Sequence, residues 1–162
     1  MELKKELILQ IQTIIATAKD KAIRSVDTER VLMYWQIGKV IFEEEQEGKD
    51  RADYGKYLIK SISEAFQPRL GTGFSIRQLE MNRQFYKSFP IANALRSQFS
   101  WTHYKTLISI DNQDKKDFYI AETEKNNWKA IQLEREVNSQ NYSAEVQELI
   151  NGFSANYKKS VK

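Results

Sequence analysis

Apolar residues return at spacings of three and four along nearly the whole chain, the period of an α-helix rather than the alternation of a strand. Leu3, Leu7, Ile11, Ile14, Ile15 and Ala18 make one stripe and predict a first helix. Asp27 or Thr28 then offers a cap, and Val31, Tyr34, Trp35, Gly38, Ile41 and Phe42 carry a second helix into an acidic block and Gly48. A third helix places Leu58, Ile62, Ala65 and Phe66 on one face, with Pro68 as its stop. Gly71 and Gly73 loosen the backbone, and Ser75 is placed to cap a helix over 75–89 that Pro90 closes. On that helix Leu79, Asn82, Phe85, Tyr86 and Phe89 share the inward arc, while Arg77, Glu80, Arg83, Gln84 and Lys87 face the other way.

The pattern continues to the end. Ser100 caps a helix carrying Trp101, Tyr104, Leu107 and Ile108; Asp111 or Asp114 starts another with Phe118, Ile120 and Ala121 partly inward. Asn126 or Asn127 opens a further one with Trp128, Ile131, Leu133 and Val137, and Ser143 opens a last one ending near Gly152. Strand signals are nearly missing, with no alternation of Val, Ile or Thr. The expected class is all-α, a bundle of seven or eight short helices, with room for a two-stranded wing after the 75–89 helix.

Composition narrows the function classes. A chain of 162 residues suits one domain. Cysteine is absent, which removes disulfides and thiol chemistry and fits a reducing interior. No apolar run approaches the roughly 20 residues of a membrane span, and the charged start is no secretory signal, so a cytoplasmic location without membrane partners is expected. Net charge is only +3. Its distribution is more telling: Arg69, Arg77, Arg83, Lys87 and Arg96 meet the single acid Glu80 between positions 69 and 96, whereas Phe42–Glu47 is acidic. A basic stretch in a near-neutral chain points toward an anionic partner.

Catalytic and metal chemistry find little support. His103 is the one histidine, so the nitrogen and sulfur ligands zinc prefers are missing. Glu43, Glu44 and Glu45 are consecutive on a helix and diverge, so a solvated acidic face is expected there instead of a magnesium site. Ser100 precedes His103 by three residues, but the serine reads as a cap and the histidine as a packed structural residue. Gly71-Thr72-Gly73 lacks the lysine and hydroxyl residue of a P-loop. No cofactor or metal is expected. The strongest local candidate is a helix-turn-helix, residues 54–67, the turn, then 75–89, although any helical bundle offers such a pair and a plain bundle face is the alternative. In that motif the second helix enters the major groove, with Arg suited to guanine and Gln or Asn to adenine. Arg77, Gln78, Arg83, Gln84 and Lys87 would meet the groove or phosphates, and Arg69, Thr72 and Ser75 the backbone.

The segments YGKYLIKSISEAF, GFSIRQLEMNRQFYKSFP, SQFSWTHYKTLISI, DFYIAE and NNWKAIQLEREV, in this order, resemble the N-terminal domain of the YhcG-like family. The likeness runs roughly from Val26 to Ser139. It rests on Gly73, Phe74 and Ser75 in the turn; on Leu79, Arg83, Phe85 and Tyr86; and on Ser100, Trp101, His103, Tyr104, Asn127 and Trp128. Gln78 and Asn82 depart from a pattern that has Asn and Met at these places. The resemblance implies a helical, helix-turn-helix or winged-helix-like DNA-binding module of a bacterial system, usually fused to a PD-(D/E)XK nuclease domain. On this reading residues 1–139 are that domain and 140–162 a C-terminal helix and basic tail, with the nuclease domain absent. Asp114-Lys115-Lys116 and Glu47-Gly48-Lys49 look like chance matches to the nuclease motif. The expected function is therefore a non-catalytic DNA-binding or targeting module. The alternative is a protein-interaction or dimerisation module that docks a nuclease or restriction subunit.

Overall fold

A computed structural model describes residues 5–48, 53–139 and 152. Among these the chain is all-helical, with six α-helices, two short 3-10 turns and no strand. The two-stranded wing left open after the 75–89 helix does not form among the described residues. The last predicted helix, 143–152, lies outside the described residues apart from Gly152.

The first correction concerns the start. The two predicted helices are one, α1 (Lys5–Glu47), 43 residues long. Asp27 and Thr28 do not cap anything. Thr28 Oγ1 donates to the Arg24 carbonyl at 2.9 Å, and Arg30 Nη2 donates to Asp27 Oδ1 at 2.7 Å. Both polar side chains are thus satisfied inside a continuing helix, and neither Gly nor Pro interrupts positions 5–37. The burial is equally uneven. Val31, Tyr34, Trp35, Gly38 and Ile41 are buried, whereas every residue from Lys5 to Val26 is exposed. The stripe Leu7–Ala18 therefore has no partner in the described bundle.

The second correction is Pro68, which does not stop its helix: α2 spans Tyr54–Leu70 with the proline in its last turn. The bond that proline cannot make would have gone to the carbonyl of Glu64, an exposed residue that water reaches. Gly71 ends the helix instead, at φ 85°, its N–H donating to Gln67 O at 2.8 Å. A 3-10 turn, Thr72–Phe74, leads to α3 (Ile76–Ser88), capped as expected by Ser75, whose Oγ accepts from the Gln78 N–H at 3.2 Å. After a second 3-10 turn at Ala92–Ala94 come α4 (Trp101–Ile108), α5 (Gln113–Asn126) and α6 (Ala130–Asn138). Asn112, not Asp111 or Asp114, caps α5. Asn127 closes α5 in the left-handed region at φ 51°, and Lys129 precedes α6, so neither Asn126 nor Asn127 is its cap.

Ser100 caps α4 as expected, with His103 returning the bond. Ser100 Oγ accepts from the His103 N–H at 3.3 Å, and His103 Nδ1 accepts from the Ser100 N–H at 3.0 Å. Because Nδ1 accepts, the ring proton sits on Nε2, which donates to the Trp128 carbonyl at 2.9 Å. The histidine ties α4 to the α5–α6 link.

The principal core gathers Trp35 and Tyr34 of α1, Phe85 of α3 and Phe89 just past its end, and Trp101, Tyr104 and Leu107 of α4, with Tyr119 and Leu133 closing it from α5 and α6. Trp35 Nε1 donates to the Phe89 carbonyl at 2.7 Å, so the ring packs and its N–H is satisfied. Ile41, Ile59 and Leu79 form a second cluster where α1, α2 and α3 meet. α3 is thus clamped along its whole inner side.

Lys116 is an anomaly, only 5% exposed, with Nζ 6.0 Å from the centroid of the Phe89 ring. Burial pushes its pKa below the ordinary 10.5, and Asp117 and Asp111 only partly oppose this. A lowered lysine pKa means the folded state binds this proton less well than the unfolded chain does. The cost is complete below the folded-state pKa, and it fades as pH rises from there to 10.5. Lys116→Met should therefore raise stability at neutral pH, with a gain that shrinks toward pH 10.5. Denaturant titrations of both proteins at several pH values measure this, and a pH-independent difference would contradict it.

Candidate nucleic-acid interface

The outward face of α3 follows from its core face. Leu79, Asn82 and Phe85 are buried, so residues about 180° away must face solvent. Arg77, Glu80, Gln84 and Lys87 are exposed, and at 100° per residue they fall within an arc of about 80°. Glu80 is the one acid among them. Arg69, in the last turn of α2, and Thr72, in the 3-10 turn, are exposed beside the start of α3. Among the described residues, Arg69, Arg77 and Lys87 have no ion-pair partner.

Three predicted contact residues are engaged within the protein. Ser75 serves as the cap. Gln78 Nε2 donates to Asn82 Oδ1 at 2.9 Å, a one-turn pair along α3. Arg83 turns toward α1, where its Nε donates to Glu45 Oε2. Glu45 retains 10% side-chain exposure and Arg83 32%, so this pair is largely withdrawn from water. The acidic block is accordingly less free than a solvated face. Glu45 holds Arg83, Glu44 Oε1 accepts from Tyr54 Oη at 2.8 Å, and Glu43 lies 3.8 Å from Lys39. The first two links fasten the end of α1 to α3 and α2; the third lies within α1. Nothing local in the sequence marks Glu45 as a partner of a residue 38 positions away.

Asn82 is fully buried. Its Oδ1 is satisfied by Gln78, but Nδ2 has no hydrogen-bond partner among the described residues. An unsatisfied buried donor costs on the order of 1–3 kcal/mol. Asn82→Met should therefore stabilise the protein by about 1 kcal/mol, roughly 2–4 °C in melting temperature. A thermal melt checks this, and a fall in melting temperature would reveal a partner for the amide.

No group of three or more His, Asp or Glu able to hold a metal ion occurs among the described residues. Asp114 and Lys116 lie on the first turn of α5 with no strand to frame them. No helix among the described residues is long and apolar enough to cross a membrane.

Comparison with known proteins places these features in a family. The model of the DUF1016 N-terminal domain matches residues 10–144, which include all of the candidate contact residues. The chain belongs to the DUF1016 N-terminal domain family. A protein of Escherichia coli (strain K12) named "Putative nuclease YhcG" is 30% identical over 161 residues, covering 80% of this chain. The chain spans only 43% of that protein's length. No solved structure matches the chain at a significant level. For the DUF1016 N-terminal domain in this chain, the face formed by Arg69, Thr72, Arg77, Gln84 and Lys87 is the exposed candidate surface.

Proposed function

We propose that this chain is a non-catalytic DNA-binding or targeting module of a bacterial YhcG-like nuclease system. α2 and α3 act as a helix-turn-helix-like pair, and α3 meets duplex DNA. The observation that carries this reading is the outward arc of α3, where Arg77, Gln84 and Lys87 are exposed and have no ion-pair or hydrogen-bond partner among the described residues, while the opposite side is clamped by the core. A rigid helix with free cations and an amide on one side suits the major groove, and Arg69 and Thr72 lie where a backbone phosphate would pass. Arg83 contributes to holding α3 in place and does not reach for DNA. Family membership and the likeness to a protein named as a nuclease support a role beside DNA.

Three free cations predict a modest electrostatic footprint. With a slope of roughly −0.9 per neutralised phosphate, log affinity against log salt should fall with a slope of about −3. Fluorescence anisotropy on random duplexes over a salt series measures it. Arg77→Ala with Lys87→Ala should flatten the slope by about two and weaken binding at low salt at least tenfold. Undiminished binding by that double variant, or no binding by the wild type at low salt, would remove the DNA reading.

A further inference from the structure

The projecting half of α1 has a composition that a solvent-facing helix does not need. Leu7, Ile8, Ile11, Ile14 and Ile15 are 43, 40, 49, 67 and 48% exposed, and they continue into Ala18, Ala22 and Ser25 along one side. Monomeric proteins seldom leave so long an apolar ribbon in water, and an isolated helical arm gains most of its stability by packing such a face. We propose that this arm is a homodimer interface, in which the α1 arms of two copies pair antiparallel.

The occupant follows from the order of sizes. Written as heptads, the inner positions of the arm are Ile8, Ile11, Ile15, Ala18, Ala22 and Ser25, bulky in the first half and small in the second. A parallel pair would stack isoleucine on isoleucine at one end and leave alanine facing alanine at the other. An antiparallel pair centred between Ala16 and Thr17 brings Ile8 against Ser25, Ile11 against Ala22 and Ile15 against Ala18, so every layer joins one large and one small residue. The flanking positions agree. Lys19 meets Gln12, Lys21 meets Ile14 and Lys5 meets Val26, with no like charges opposed.

The extent sets the strength of the contact. The pairing uses residues 7–26 of each copy, the exposed part of α1, about 30 Å of helix. Twelve of these residues a side, the six inner and six flanking positions, face the partner, fewer than the roughly 20–30 of a standard interface, so the contact is that of a small, concentration-dependent dimer. At each end of the pair, the partner's Leu7–Ile11 would run alongside Ala22–Val26. Those residues form one wall of a groove of about 1170 Å³, whose other wall includes Phe99 and Trp128. The contact is isologous, as in most dimers, and closes on itself.

Sedimentation velocity and light scattering on the full chain test this. The expected species is a dimer of twice 19.0 kDa. Ile11→Asp with Ile15→Asp should give a monomer whose near-UV circular dichroism is unchanged, because the arm lies outside the aromatic core. The chain has no cysteine, so engineered thiols report without background. A mixture of Ile11→Cys and Ala22→Cys proteins should cross-link to each other far more than either does alone. A wild type that stays monomeric at high concentration overturns the proposal, including the case where residues 140–162 of the same chain protect the arm from hydrogen exchange. A dimer that survives the double aspartate variant, or Ile11→Cys protein cross-linking alone as readily as the mixture, overturns it too.

Discussion

Gly38→Ala should destabilise the protein by about 3 kcal/mol and lower its melting temperature by roughly 6–12 °C. On helix propensity alone the sign would be opposite, because alanine is favoured over glycine inside a helix by about 1 kcal/mol. Contact geometry decides otherwise. A Cβ at position 38 would lie 1.9 Å from the Asn82 carbonyl oxygen and 2.6 Å from its carbon, inside the distance any non-bonded atoms reach. Those atoms are backbone of α3, so no side chain can swing aside to make room. α1 and α3 would have to part, loosening the Trp35–Phe89 bond and the Arg83–Glu45 pair together. A thermal melt of the single variant measures the effect; an unchanged or raised melting temperature would mean that the two helices do not cross at this glycine.

Phe85→Ala should cost about 3–5 kcal/mol. Phe85 is fully buried, and its ring centroid lies 4.8 Å from that of Tyr104, 5.3 Å from Trp101 and 5.8 Å from Phe89. Removing the ring leaves a hole bounded by three aromatic groups from two helices, which cannot close without re-aiming α3. The near-UV signal of the neighbouring tryptophans should fall, and denaturant titration should show the lost stability. Phe85→Leu, keeping most of the volume, should lose far less. Equal losses for both would indicate that aromatic contact, and not volume, holds the site.

How much of this was legible in the sequence depended on range. Ser75 and Ser100 were readable as caps because a cap bond forms three residues away. The buried side of α3 was readable because periodicity alone assigns Leu79, Phe85 and Phe89 inward, and its converse gave Arg77, Gln84 and Lys87 as outward. The pairing of Arg83 with Glu45 is not legible because the partner comes from another helix, and no local pattern encodes a contact of that separation. The single long α1 is not legible because Asp27 and Thr28 have the chemistry of caps. A cap and a mid-helix residue bonded within its own turn look alike until the backbone is known. The apolar stripe from Leu7 was read correctly as a helix face. What it packs against is not a property of the stripe alone.

The continuous α1 has a consequence for how the molecule moves in solution. Forty-three residues at about 1.5 Å each make a rod of some 65 Å, whereas a compact body of this chain length has a radius of gyration of only about 15 Å. The described residues of one copy are therefore club-shaped, and two copies paired along their arms make a longer, dumbbell-like particle whose drag exceeds that of a sphere of equal mass. Gel filtration calibrated with round standards will overstate its size, and small-angle scattering should show a long tail in the distribution of interatomic distances.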